Sequence, residues 1–379
     1  MRLTRALVYA RDNSLGLLIG AATGLIWANA ATASYEQFAH ALHFVVNDIG
    51  MVFFFALAAK EIVEATLPGG ALASPRRAAV PLLAAAGGMA GPALIYVALA
   101  LTTGHEALVR GWAIPCATDI AFSYLVARWI FGPKHPAIPF LLLLAIADDA
   151  LGLVILAVLY PTGAVRPGEF IVLVVAAMWI ASMLNRRKVR SFWPYVLGAG
   201  VVSWVAFLRG GLHPALALVP IVPFIPRERR DPGIFAEAEK HHHDALNEFE
   251  HWWHTPVQTI LFFFGLVNAG VPLSSVGAGT WFVMIGLLAG KPVGIIGLSY
   301  AAVGARLGEL RGVHVRDMLV VSFAAAIGFT VALFFATAAF PDGELLEQTK
   351  MGALLSFASA GVAIAAALVL RVGRFAKAS

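Results

Sequence analysis

Apolar positions in this chain come in long runs separated by short polar stretches. The runs predict membrane-spanning helices near residues 14–33, 44–66, 78–103, 108–130, 137–160, 168–185, 192–208, 212–226, 255–274, 280–304, 317–340 and 349–372. Most are long enough to cross about 30 Å of hydrocarbon. That makes twelve spans, of which the eighth, 212–226, is short and rich in proline. The expected architecture is an all-α polytopic membrane protein. Residues 1–379 are read as one transmembrane domain, with 227–254 as its longest polar loop.

Composition agrees. Of 379 residues, 60% are hydrophobic and 13% charged, too few polar groups for an exterior that faces water. The net charge of +5 does not point to nucleic acid, because the basic residues sit in short loops between apolar runs. With the N-terminus in the cytoplasm, 21 of the 27 Lys and Arg residues fall on the cytoplasmic side. Four fall outside (Arg110, Arg166, Arg209 and Lys350), and Lys60 and Lys291 lie within spans. This bias supports twelve spans with both termini inside. The single cysteine, Cys116, excludes an internal disulfide and a thiolate metal cluster. The basic residues 1–13 lead into an apolar run with no convincing small-residue cleavage site, so that run is read as the first span. The sequence HHHD at 241–244 is read as part of a solvated cytoplasmic loop, with a pH- or metal-responsive role as the alternative.

The few charges inside spans carry the chemistry. A charged side chain at the bilayer centre costs about 2.5–3.5 kcal/mol on insertion scales, and the default reading of one is a functional site. Lys60, Glu61 and Glu64 lie toward the cytoplasmic end of the second span, where long side chains are expected to snorkel to the headgroups. Asp119, Asp148, Asp149 and Lys291 sit deeper. Asp119 lies in IPCATDIAFS, where Pro115 frees a backbone carbonyl and Thr118 is adjacent. The eleventh span carries AAIGFTVALF, with Gly328 and Thr330 at a similar depth. Two interrupted spans in corresponding halves point to a transporter site at mid-membrane, where unwound carbonyls serve a cation and half-helix ends leave partial charges. Asp119 and Lys291 are candidates to offset those charges.

Asp148 and Asp149 occupy the centre of LLLLAIADDALGLVILAVLY. Neighbours on a helix diverge by about 100°, so the two cannot face one partner. At about 6 Å and an effective dielectric of about 20 their repulsion is about 3 kcal/mol. Either a proton or a metal cation relieves it, and competition between the two is sufficient for exchange. Oxygen-only ligands suit a hard cation such as Na⁺ or Li⁺.

IPCATDIAF, AIADDALG, LLAGKPVGI and AIGFT, in this order and spacing, resemble the NhaA sodium/proton antiporters, as do LASPRRAAVP, LRGGLHPAL and VNAGV. The resemblance runs over about residues 14–370. That family is itself an established case of interrupted helices at an inverted-repeat interface. The resemblance implies that Asp149 is the principal Na⁺ ligand and Asp148 the second, paired with Lys291 when no ion is bound. It implies that Thr118 and Asp119 are contributed by one crossing helix, and Gly328 and Thr330 by the backbone of the other. It also implies inverted repeats over roughly 78–160 and 280–372, electrogenic exchange activated by alkaline pH, no cofactor, and a bacterial inner-membrane location in contact with lipid. Glu64, His213, Glu250 and His251 are candidates for pH sensing. Two departures stand out. AAKEIVE at 58–64 replaces the family's GLEVKRE-like stretch and places Lys60 where a glutamate is common, although Glu250 and His251 in EFEHW match the other side of that region. Residues 32–43 are too short for the β-hairpin that joins family dimers, so a homodimer by that route is not expected.

The leading reading is exchange of Na⁺ or Li⁺ for H⁺. A sodium-coupled organic-anion symporter would need more hydroxyl and amide side chains in the fourth and eleventh spans. An intramembrane aspartyl protease would need facing aspartates from two helices, and its glycine-flanked and tyrosine–aspartate signatures are missing.

Overall fold

The computed structural model describes residues 15–68, 70, 72–227, 244–310 and 312–376. The histidines at 241–243 and the basic residues of 1–13 lie outside these. Among the described residues every regular element is helical. Six helices among the described residues are long and apolar enough to cross a membrane, or up to eight when each of two bent pairs counts as one span. The segment 32–43 is an α-helix.

Two compact units emerge, Met1–Ala73 with Leu153–Val267, and Ser74–Gly152 with Asn268–Ser379. The stretches expected as repeats fall in the second, apart from residues 153–160.

In the first unit, α1 (Leu15–Ala30) precedes α2 (Thr32–His43), which runs through a π-turn, Phe44–Gly50, into α3 (Met51–Thr66). The segment expected as the eighth span, 212–226, forms two 3₁₀ turns, Pro214–Leu216 and Val222–Phe224. Pro214, Pro220, Pro223 and Pro226 each lack an amide proton and block the preceding turn, so apolar composition alone does not make this stretch an α-helix.

In the second unit, α4 (Pro75–Thr102) precedes 3₁₀ turns at Glu106–Gly111 and Ile114–Cys116. The chain is extended at Ala117 and re-enters helix as α5 (Ile120–Phe131). α6 (Ala137–Leu159) follows and carries the aspartate pair. Later come α7 (Pro167–Arg186), α8 (Val201–Gly210) and α9 (Ala245–Asn268), which belong to the first unit apart from Asn268. The second unit resumes with α10 (Ala278–Ile285), a π-turn at Gly286–Gly290, and α11 (Lys291–Gly304). α12 (Val315–Ala325) and α13 (Phe329–Ala339) are separated by a three-residue break. α14 (Glu344–Leu355) and α15 (Ser359–Leu370) close the chain.

Each bent pair kinks sharply. The segments on either side of 117–119 meet at 54°, and those on either side of 326–328 at 53°. Around them lies a core that includes Ala84, Ile130, Leu144, Ile295, Met318 and Val321, all buried. α4 and α11 pack backbone to backbone: a Cβ added at Gly87 or Gly294 would overlap the other's carbonyl, and one at Gly91 would meet the carbonyl of Gly290. Without side chains in between, this contact fixes where α11 presents its first residue, Lys291.

Candidate functional site

Breaking a helix exposes carbonyls on one side of the gap and amides on the other, and both need partners. Here the two breaks supply part of each other's needs. The Asp119 amide donates to the Ile327 carbonyl at 2.7 Å. Gly328 stands beside Ala117, whose carbonyl would lie 3.2 Å from a Cβ placed there.

The carbonyl side is occupied by Lys291, which is fully buried. Its ammonium donates to the carbonyls of Ala117 (2.8 Å) and Ala325 (3.1 Å) and to Thr118 Oγ1. An ammonium has three protons, so these bonds use all of them. Asp148 Oδ2 lies 3.5 Å away as counter-charge. Thr118 Oγ1 sits 2.8 Å from Asp148 Oδ2 and 3.1 Å from the Ala325 carbonyl. The lysine thus ties the carbonyl ends of both breaks to the aspartate on α6, and its positive charge opposes the negative end of α12.

The amide side is occupied by Asp119. Its carboxylate caps α5 by accepting from the Phe122 amide at 3.4 Å. It also accepts from the Thr330 amide at 3.3 Å and from the Thr330 hydroxyl. One carboxyl group therefore lies at the positive ends of α5 and α13, where a negative charge is favoured.

Thr118, Asp119, Asp148, Lys291, Gly328 and Thr330 are brought together by these contacts. Asp149 is half-buried, one residue further around α6. Asp148 Oδ1 is buried without a hydrogen-bond partner. Among the described residues no three His, Cys, Asp or Glu side chains gather into a metal cage. A cation held here would draw on backbone and hydroxyl oxygens beside the carboxylates, a set that fits a hard ion.

The residues weighed for pH sensing fall into separate groups, all in the first unit. Lys60 lies 2.6 Å from Glu64 and 2.7 Å from Glu250, with Glu61 at 4.0 Å. Lys60 and Glu64 are only 4% and 2% exposed. This corrects the expectation that they snorkel: they are buried as a pair, one helical turn apart on α3. Glu250 is half-buried and His251 exposed. His213 is not part of this group. It is buried, and its Nδ1 lies 3.9 Å from Asp48 Oδ1 and accepts from the Ala215 amide at 3.4 Å.

Two contributors escaped the sequence reading. Ser123 donates to the Ala324 carbonyl at 2.8 Å, and Ser356 accepts from the amides of Gly328 and Phe329 at 3.3 and 3.1 Å. A serine in an apolar run gives no outward signal that its bond leaves its own helix.

Comparison with known proteins bears on this geometry. Residues 6–370 match the family described as Na+/H+ antiporter 1. The chain is 48% identical over 372 residues to the Na(+)/H(+) antiporter NhaA of Geotalea uraniireducens (strain Rf4), with 96% of each chain covered. It is 46% identical over 397 residues to the Na(+)/H(+) antiporter NhaA of Jannaschia sp. (strain CCS1), covering 93% of this chain and 94% of the relative. Among solved structures, that of the sodium proton antiporter MjNhaP1 from Methanocaldococcus jannaschii at pH 8 is similar in fold. Its TM-score is 0.57 at 14% identity, with 97% of this chain and 93% of that one covered.

Proposed function

Since the chain belongs to the Na⁺/H⁺ antiporter 1 family, we propose that it exchanges Na⁺ or Li⁺ for H⁺ by competition at Asp148 and Asp149. The family is one of transporters, so the protease reading falls away, and the ions are cargo with no cofactor involved. The observation that carries the mechanism is the setting of Lys291. A positive charge is held where two broken-helix carbonyls, a threonine hydroxyl and an aspartate oxygen converge. A sodium ion offers the same charge to the same oxygens.

In this reading Na⁺ binds Asp149 and draws Asp148 away from Lys291. Protons arriving from the other side displace Na⁺ and restore the Lys291–Asp148 pair. Thr118 stays with Asp148 in both states, and Asp119 balances the amide ends of α5 and α13. More than one titrating group takes part for each sodium, so the cycle carries net charge. Glu64 and Glu250, joined through Lys60, are the acidic groups through which pH would govern activity, with His213 and His251 as further candidates.

We place the protein in a bacterial inner membrane with both termini in the cytoplasm and lipid around its apolar faces. Inverted repeats over roughly 78–160 and 280–372 within one transport domain account for two similar breaks. A homodimer, if formed, uses a surface other than a hairpin at 32–43.

The test is Na⁺-driven current from proteoliposomes on a solid-supported membrane. Asp149→Asn abolishes the signal while the protein remains folded; full current in that variant overturns the assignment.

A further inference from the structure

Ser123 and Ser356 hold the second break from opposite sides. Ser123 is on α5, fully buried, and its hydroxyl donates to the Ala324 carbonyl at the end of α12. Ser356 stands in a 3₁₀ turn, Ser356–Ala358, between α14 and α15, and is also fully buried. Its hydroxyl donates to the Ala353 carbonyl at 2.6 Å while accepting from the Gly328 and Phe329 amides. Helical serines ordinarily turn back on a carbonyl of their own preceding turn. Here Ser123 instead donates to another helix, while Ser356 turns back on Ala353 and also accepts from the helix across the break.

The division of partners is specific. Of the last carbonyls of α12, Ala324 goes to Ser123, and Ala325 to Lys291 and Thr118. Of the first amides of α13, Gly328 and Phe329 go to Ser356, and Thr330 to Asp119. Three aromatic rings pack edge to face beside this point: Phe122 and Phe329 at 6.2 Å, Phe122 and Phe357 at 5.4 Å, Phe329 and Phe357 at 6.2 Å. One ring comes from each of α5, α13 and the Ser356–Ala358 turn. They surround the break with apolar surface, so a backbone group released there has little access to water.

We propose that Ser123 and Ser356 are positioning residues that set the affinity of the site for its cation, by deciding which backbone groups of the second break face it. Neither touches the ion. With Ala324 tied to Ser123, Ala325 is the carbonyl presented at the Lys291 position. With Gly328 and Phe329 held by Ser356, the Thr330 amide is left for Asp119. Removing either hydroxyl lets the break rotate and changes the oxygen set offered to the cation. The change then falls on binding and on the choice between Na⁺ and Li⁺ more than on maximal turnover. The inference rests on the transport reading above.

The experiment compares wild type, Ser123→Ala, Ser356→Ala and Ser356→Thr in proteoliposomes, with KM and maximal current measured for Na⁺ and for Li⁺. Each alanine variant is expected to raise the KM for Na⁺ about fivefold or more, with maximal current within about twofold of wild type, the signature of lost binding rather than lost turnover. The ratio of KM for Li⁺ to that for Na⁺ shifts as well, and Ser356→Thr, which keeps the hydroxyl, restores both. Unchanged KM and ratio in the alanine variants overturn the proposal, as does a fall in current alone or a threonine variant as impaired as the alanine one. If Ser356→Ala cannot be purified folded, Ser123→Ala decides, and wild-type KM there overturns it. A wild-type protein with no Na⁺-driven current instead removes the transport reading, and this inference with it.

Discussion

The amide of Asp119 donates to the carbonyl of Ile327 at 2.7 Å, a backbone bond between residues more than two hundred positions apart. It joins the two helix breaks directly, so the groups that compensate one break are placed by the other. Lys291 serves the carbonyl ends and Asp119 the amide ends. Their roles predict different outcomes on substitution.

Replacing Lys291 removes the shared donor. Lys291→Met leaves Asp148 and the carbonyls of Ala117 and Ala325 without it, and breaking a buried pair from one side costs about 3–5 kcal/mol. Thermal unfolding in detergent therefore shows a large loss for Lys291→Met. The double variant Asp148→Asn with Lys291→Met recovers part of it, because the uncompensated charge is gone. Additive losses would contradict the coupling.

Asp119→Asn keeps one acceptor oxygen, enough for either the Phe122 amide on Oδ1 or the Thr330 groups on Oδ2 but not both, and gives up the carboxylate at two helix N-termini. The expected cost is about 1–2 kcal/mol, smaller than that of Asp119→Ala, which strands both sets of amides. Thr330→Val removes one donor to the same carboxylate and falls between wild type and Asp119→Ala. Unfolding temperatures of the four proteins in one detergent check the order.

Lys60 makes a pH-dependent prediction. In Lys60→Met the buried Glu64 loses the cation 2.6 Å from it. A buried carboxylate without a counter-charge is least costly when protonated. The stability deficit of the variant is therefore smallest in acid and grows as pH rises, whereas Lys60→Arg shows a smaller deficit throughout. Glu250→Gln has a milder effect than Glu64→Gln, because Glu250 is only half-buried. Unfolding temperature measured across pH tests the sign, and a deficit that shrinks toward alkaline pH would contradict it.

The glycine contact gives a steric prediction with an internal control. Gly294→Ala drives a methyl into the Gly87 carbonyl and forces α4 and α11 apart, whereas a Cβ at Gly297, also on α11, meets nothing within 4 Å. Gly294→Ala is expected to lose folded yield and transport together, and Gly297→Ala to keep both. Size-exclusion profiles and Na⁺-driven current make the comparison.

The helical class and the deep charges were legible because a lone Asp or Lys in an apolar run has few explanations. The first break was legible through Pro115 and Thr118, the second through Gly328. The 3₁₀ turns of 212–226 are not legible from hydropathy, because apolar neighbours conceal the amide that each proline lacks. The burial of Lys60 is hidden for another reason. Snorkelling and burial against Glu64 have the same sequence signature, and only the approach of Glu250 from α9 separates them. Ser123 and Ser356 were silent because their partners, Ala324, Gly328 and Phe329, are backbone atoms far away in sequence.

The close approach of α4 and α11 has a mechanical consequence. Glycine carbonyls and α-carbons interlock at Gly87, Gly91, Gly290 and Gly294 with no flexible side chains to cushion them. A shift of one helix by a single residue would drive bulkier neighbours into those notches, so the two rods travel as one lever. If ions pass Lys291 as proposed, this joint is expected to move as one piece.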